Sequence, residues 1–211
     1  MTETVLYDYW RSSASYRVRI ALNLAGIDYA SVPVDLVKGE QRSPEHLARN
    51  PQGFVPALEI DGLRLTQSLA IIEYLDETRG LSLLPQDPAL RAKARALAHA
   101  IAVDIHPVCN SSVAAHAREI SGREDGVERW MQRFIRPGMQ AFETLLGTFT
   151  QSPYCCGTAP SLADICLMPQ VYNARRWGVE IDDLARTTAV EQACTAHPAF
   201  SAAYPDACKP A

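Results

Sequence analysis

Beyond Pro88 the chain holds no segment patterned as a strand, whereas up to Gly80 strand-like and helix-like segments alternate. That change of pattern constrains the fold most. Pro85 and Pro88 bracket Gln86-Asp87 at the changeover, so Leu81–Pro88 reads as a linker. The 211 residues suffice for two modest cores. The expected organisation is an α/β domain over residues 1–84 and an all-helical domain over 89–211.

The first domain begins with Val5, Leu6, Tyr7, Tyr9 and Trp10, residue types suited to a buried strand. Val18, Ala21, Leu22 and Ala25 then recur at helical spacing, and Gly26 stops that helix. A second strand falls near Tyr29–Leu36, and the polar segment Lys38–Asn50 holds at most a short helix. Val55–Ile60 and Leu63–Thr66 flank Asp61-Gly62, a strong hairpin signal. Ser68–Thr78 reads as a helix capped by Ser68 and closed by Gly80. The order is βαβ followed by ββα, with the first two strands parallel. Pro56 belongs at the first residue of its strand, because it lacks the N–H a ladder needs; the generic preference for its peptide bond is trans.

In the second domain Leu90, Ala94, Leu97, Ile101 and Ile105 keep one face of a long helix, with Asp87 as N-cap and Pro88 at its first position. Pro107 must kink or end it. Trp130, Phe134, Ala141, Phe142, Leu145 and Leu146 mark another helix, with a kink expected at Pro137-Gly138. Ser161 and Asp164 form a capping box for a helix through Ile165, Leu167, Met168 and Val171. Phe200–Ala211 carries little pattern and reads as a partly ordered tail.

Composition excludes several classes of function. A net charge of −4 offers no basic surface for phosphates, so no nucleic-acid partner is expected. No apolar run approaches a membrane span, and the start Met-Thr-Glu-Thr lacks the regions of a signal peptide; a cytoplasmic protein is expected. Six cysteines lie between Cys109 and Cys208 with no CxxC and no zinc-ligand spacing to the histidines, so they read as reduced thiols and no metal site is expected. Of 20 basic residues only Lys38, Lys93 and Lys209 are lysines. Arginine is the better bidentate partner for carboxylates, which suits an anionic substrate as well as compositional drift.

The stretch Arg11-Ser12-Ser13-Ala14-Ser15-Tyr16-Arg17-Val18-Arg19 runs from the first strand into the first helix. The first N–H groups of a helix lack internal partners and carry partial positive charge, so anions are stabilised there. Two readings stand: the serines cap the helix, or they also hold a carboxylate, phosphate or thiolate.

The combination of a βαβ–ββα unit, Val55-Pro56 before the third strand, Gln67-Ser68 opening the last helix, and an all-helical second domain resembles the glutathione transferases: a thioredoxin-like domain followed by their helical C-terminal domain. Trp10–Leu22 is similar to the zeta-class signature serine-serine-cysteine-x-x-arginine-valine-arginine. Asn50–Pro56, Gln67–Leu75, Leu84–Asp87, Asp104–Pro107 and Pro169–Val171 resemble the same family in the same order. The one departure in the signature is Ala14 in place of cysteine, which casts doubt on any activity needing a protein thiol.

This resemblance implies glutathione as cofactor and cis–trans isomerisation of maleylacetoacetate or maleylpyruvate, small dicarboxylate-type substrates of aromatic catabolism, by a homodimer. It assigns catalytic roles to Ser12, Ser13, Arg11 and Arg176. Ser12 donates to the thiolate, and the arginines meet the substrate acids and the developing negative charge. Glutathione binding falls to Ser12, Ser13, Arg17, Gln41, the Val55 backbone after a cis bond, Gln67 and Ser68. His106, Asn110, Ser111 and Ser112 line the substrate side. For Arg17 and Arg19 a solvent-exposed or structural role is the simpler reading of the residues alone. Two other functions fit the resemblance: a transferase acting on α-halo acids, which consumes glutathione, and a non-catalytic glutathione-binding module.

Overall fold

The computed structural model describes residues 3–150 and 153–210; Met1 and Thr2, part of the stretch read for a signal peptide, and Ala211 of the expected tail lie outside them. Contacts divide the chain into two units. One runs to Ser82 and takes in the chain from His197 onward, and the other is Leu83–Ala196.

The first unit is a four-stranded sheet in the order β2-β1-β3-β4. Strand β1 (Val5–Asp8) pairs parallel with β2 (Ala30–Pro33) and antiparallel with β3 (Ala57–Ile60), which pairs antiparallel with β4 (Leu63–Thr66). Leu6 lies opposite Ser31 on one side and Leu58 on the other. Leu6, Ala57 and Leu58 are buried, as central-strand positions should be. The β3–β4 turn is the expected hairpin: Asp61 and Gly62 both adopt positive φ, the requirement of a type I′ turn. Between the parallel strands runs α1 (Ser13–Leu24), which packs on α3 (Ser68–Arg79). Trp10, expected at the end of the first strand, instead lies in the turn before α1.

The polar connection after β2 holds a 3-10 turn, Glu40–Arg42, and a short helix α2 (Pro44–Arg49) capped by Ser43, whose Oγ accepts from the His46 amide. Ser68 does not cap α3. The N-cap is Gln67, at φ 67°, and Ser68 is the first helical residue. Gly80 ends α3 in the left-handed conformation, as expected.

The second unit is helical. Helix α4 (Pro88–His99) is capped by Asp87, whose carboxylate accepts from the Leu90 amide at 2.8 Å. As expected, the helical run ends just past Pro107, at Val108. The helix widens into a π-helical turn, Ala100–Ile105, before the short α5 (His106–Val108). A proline at 107 lacks an N–H and crowds the carbonyl four residues back, and a wider turn relieves both problems. Helices α6 (Ser111–Ser121) and α7 (Gly126–Leu146) pack together. Pro137 lies inside α7, whose helical assignment is continuous; the stripe it buries is Met131, Ile135, Met139, Phe142 and Leu146. The expected face was partly wrong, because Leu145 is 41% exposed and Ala141 is also exposed. Gly138 meets the turn before His106: a Cβ there would stand 2.5 Å from Ile105 Cγ1 and Cδ1.

Helix α8 (Leu162–Arg176) is buried along most of its length and carries the expected capping box. Asp164 accepts from the Ser161 amide at 2.8 Å, from Ser161 Oγ at 2.6 Å and from the Cys155 amide at 2.8 Å. Burial pushes this carboxyl's pKa up, against the pull of those donors. Helix α9 (Ala185–Ala196) packs on α7 and α8. Glu143 of α7 accepts from the Arg186 and Thr187 amides in the first turn of α9.

The tail is ordered and belongs with the first unit. Helix α10 (Pro198–Ala202) packs on α1, Phe200 is buried, and a 3-10 turn follows at Pro205–Cys208. Helices this short leave little periodic signal, so the sequence alone understated it. None of the helices among the described residues is long and apolar enough to cross a membrane.

Candidate active site

Within the first unit, the turn from β1 to α1 gathers the residues expected to act. The Ser12 amide donates to the Tyr9 carbonyl at 2.8 Å, closing the turn. Ser12 is the N-cap of α1: its Oγ accepts from the Ser15 amide at 3.2 Å and its carbonyl from the Tyr16 amide at 2.9 Å. Capping uses the hydroxyl only as acceptor, so the O–H remains available to donate. The Ser13 and Ala14 amides, which precede Ser15, have no acceptor within the helix. Ser12, Ser13 and Ala14 are half-buried.

Arg11 is held beside them. Its guanidinium donates to Tyr9 Oη at 2.8 and 3.3 Å and lies over the Trp10 ring, 4.8 Å from the centroid. Neither Arg17 nor Arg19 is solvent-exposed; they are 2% and 1% accessible. Arg17 Nη1 donates to Ser68 Oγ at 3.3 Å, linking α1 to the first turn of α3. Arg19 forms a buried ion pair with Asp8.

The loop before β3 builds a second polar cluster in this unit. The Val55-Pro56 bond is cis, and the β3 ladder begins only at Ala57. His46 Nε2 and Asn50 Nδ2 each contact the Phe54 carbonyl at 2.9 Å, tying the loop to α2. Gly53 has φ 65°, and a Cβ there would stand 2.9 Å from Arg42 Nη1 and 3.1 Å from the Gln41 carbonyl. Gln67 Nε2 donates to Gln52 Oε1 at 2.7 Å. Gln41 Oε1 is buried without a hydrogen-bond partner. Gln67 is a non-glycine residue at positive φ, a conformation that costs free energy and collects at ligand sites. Gln52 was not singled out from sequence, although it sits inside the Asn50-Pro51-Gln52-Gly53 motif quoted for the resemblance.

The residues assigned to the second unit fall in two places. His106 is half-buried and starts α5; Asn110 is the N-cap of α6, its Oδ1 accepting from the Ser112 amide at 3.0 Å and from Ser112 Oγ at 2.8 Å. Asn110 and Ser112 thus shape the α6 start, and Ser111 and Ser112 are both exposed. Arg176 lies in the last turn of α8 and stacks over Trp177 at 4.8 Å. Its neighbour Arg175 is committed to Glu191 and Asp182, at 2.7 and 3.1 Å.

Comparison with known proteins places the fold and the family. Residues 3–77 match the family model of the glutathione S-transferase N-terminal domain. The chain is 57% identical over 210 residues to a maleylacetoacetate isomerase of Rhizobium meliloti strain 1021, covering 99% of both chains. Among solved structures it resembles a holo maleyl pyruvate isomerase, described as a bacterial zeta-class glutathione S-transferase, at 40% identity and a TM-score of 0.93, covering 96% of this chain and 97% of that one. A maleylacetoacetate isomerase of Methylobacterium extorquens AM1 with bound malonate and glutathione matches at 39% identity and a TM-score of 0.92, covering 98% of this chain and all of that one. The fold is that of a glutathione transferase, and within that class the chain belongs to the maleylacetoacetate isomerase family.

Proposed function

We propose that this protein is a glutathione-dependent cis–trans isomerase of maleylacetoacetate or maleylpyruvate, acting in the cytoplasm as a homodimer. The observation that carries the proposal is the Ser12 turn: a hydroxyl with a free donor at the N-terminus of a helix, in a chain that is 57% identical to a maleylacetoacetate isomerase.

The residues of the first unit fit glutathione, a peptide with two carboxylates and one thiol. The orphaned Gln41 Oε1 calls for an N–H donor. The Val55 backbone stands outside the β3 ladder and can pair with an extended peptide. Gln67 and Ser68 open α3, where a carboxylate is stabilised by the helix dipole, and Arg17 adds a fixed positive charge behind Ser68. Ser12 and Ser13 face the thiol with the positive end of α1. When bound, glutathione supplies a nucleophilic sulfur for reversible addition to the conjugated double bond.

A free thiol of pKa about 8.5 is only about 3% ionised at pH 7, so a helix N-terminus and a donated hydroxyl hydrogen bond that lower it by about two units raise the reactive fraction more than twentyfold. Arg11 stabilises negative charge that develops on the substrate, and Arg176 takes a substrate carboxylate. His106, Asn110, Ser111 and Ser112 of the second unit are assigned to the substrate. A spectroscopic assay of both maleyl substrates with substoichiometric glutathione tests the reading; isomerisation of at least one supports it, and no turnover of either refutes it.

A further inference from the structure

Arg19 does more than neutralise Asp8. Its three guanidinium nitrogens reach three separate segments of the first unit. Nη1 donates to Asp8 Oδ2 at 2.5 Å, at the end of β1; Nη2 donates to the Trp10 carbonyl at 2.9 Å, inside the turn that ends at Ser12; and Nε donates to the Ala203 carbonyl at 3.2 Å, in the segment after α10. Asp8 is fixed in turn by Ser31 Oγ at 3.1 Å. The same C-terminal segment touches the turn again, since Lys209 Nζ lies 5.5 Å from the Trp10 ring centroid, and Tyr204 meets Tyr16 edge to face at 6.3 Å.

From this geometry we propose that Arg19 is a positioning residue for the isomerase reaction: it locks the Tyr9–Ser12 turn against the C-terminal segment and so sets the direction of the Ser12 hydroxyl. The proposal rests on the reading of Ser12 as the donor to the glutathione thiol. Its physical basis is the planar fork of arginine. Three donors in fixed directions can hold three carbonyl or carboxylate oxygens at once, and a lysine ammonium cannot span them. A half-buried acceptor such as the Trp10 carbonyl, deprived of its donor, turns to find another. Because the Ser12 amide is bonded to the Tyr9 carbonyl, any rotation of the Trp10 peptide is passed to Ser12.

Two titratable neighbours of Arg19, Tyr29 and Cys208, stay silent where the thiol is read. Burial raises the Tyr29 phenol to about 12 and holds the Cys208 thiol above its ordinary value. The thiolate absorbance of bound glutathione, followed against pH, therefore reports the bound sulfur.

Arg19→Lys keeps the charge opposite Asp8 but loses the fork. Its bound thiol should titrate about one unit higher, a loss of about threefold in thiolate at pH 7. Binding of S-methylglutathione, which has no thiol, should stay within about twofold, and the melting temperature within a few degrees. In Ser12→Ala the thiol should rise on its own, and the double variant should add nothing further. If Arg19→Lys does not fold, a chain ending at Ala202, which removes the Ala203 carbonyl together with Tyr204 and Lys209, should show a rise in the same direction. A folded Arg19→Lys, or a shortened chain, with the parental thiol titration overturns the proposal. So does a thiol shift matched by an equal loss of S-methylglutathione affinity, which marks general loosening. An unchanged thiol in Ser12→Ala removes the Ser12 reading instead, whatever Arg19→Lys shows.

Discussion

Ser12 has two tasks that do not compete. As an acceptor it closes the first turn of α1, and as a donor it is free for sulfur. Ser12→Ala loses both, but the capping loss is only about 1 kcal/mol. Removing one donor to a developing charge costs about 10²–10³-fold in kcat. The expected outcome is a kcat lower by about two orders of magnitude, with S-methylglutathione affinity nearly parental; an unchanged kcat would take Ser12 out of the mechanism. The serine position was legible in the sequence because capping residues lie next to the helix they start. The roles of Arg17 and Arg19 were not. A charged residue on a helix is exposed by default, and their partners Ser68, Asp8 and Ala203 are brought near only by the tertiary fold. Gln52 escaped for the same reason, since its meaning comes from Gln67, fifteen residues on.

At the scale of elements, the strands and caps followed local rules: Asp61-Gly62 made its hairpin, Asp87 and Ser161 started their helices, and Gly80 ended one. The two prolines in helices are accommodated differently. Pro107 is accommodated by a π-helical turn, and Pro137 sits in a helix that continues past it. Which helix face is buried depends on where a neighbour packs, and here the neighbour is Ile105, seated on Gly138. A methyl at that position collides with Ile105, one residue before His106. Gly138→Ala should therefore destabilise the protein by about 1–3 kcal/mol, read as a lower urea midpoint with an unaltered slope. A parental midpoint would show that Ile105 swings away without cost. Raised Michaelis constants for the maleyl substrates, with glutathione affinity intact, are expected alongside.

For the whole molecule, the central issue is where the reactive sulfur comes from. The signature cysteine is Ala14, and all six cysteines are free thiols. Burial pushes Cys109 and Cys156 to about 11 each, and also raises Cys155 and Cys194. A raised thiol pKa means little thiolate at neutral pH, so alkylation of these four by iodoacetamide at pH 7.5 should be slow, quicken as pH rises toward 11, and leave isomerisation intact while the fold holds. Activity lost in step with alkylation at pH 7.5 would assign the chemistry to a protein thiol. The two-part organisation was legible in the shift of pattern near Pro88; the return of the chain from His197 to the first unit was not, because α10 is only five residues long. The measurement that bears most directly on the account is the number of product molecules formed per glutathione. An isomerase that borrows the thiol and returns it gives many trans products per glutathione, with all glutathione recovered free. One glutathione consumed per substrate, as a stable conjugate, would contradict it.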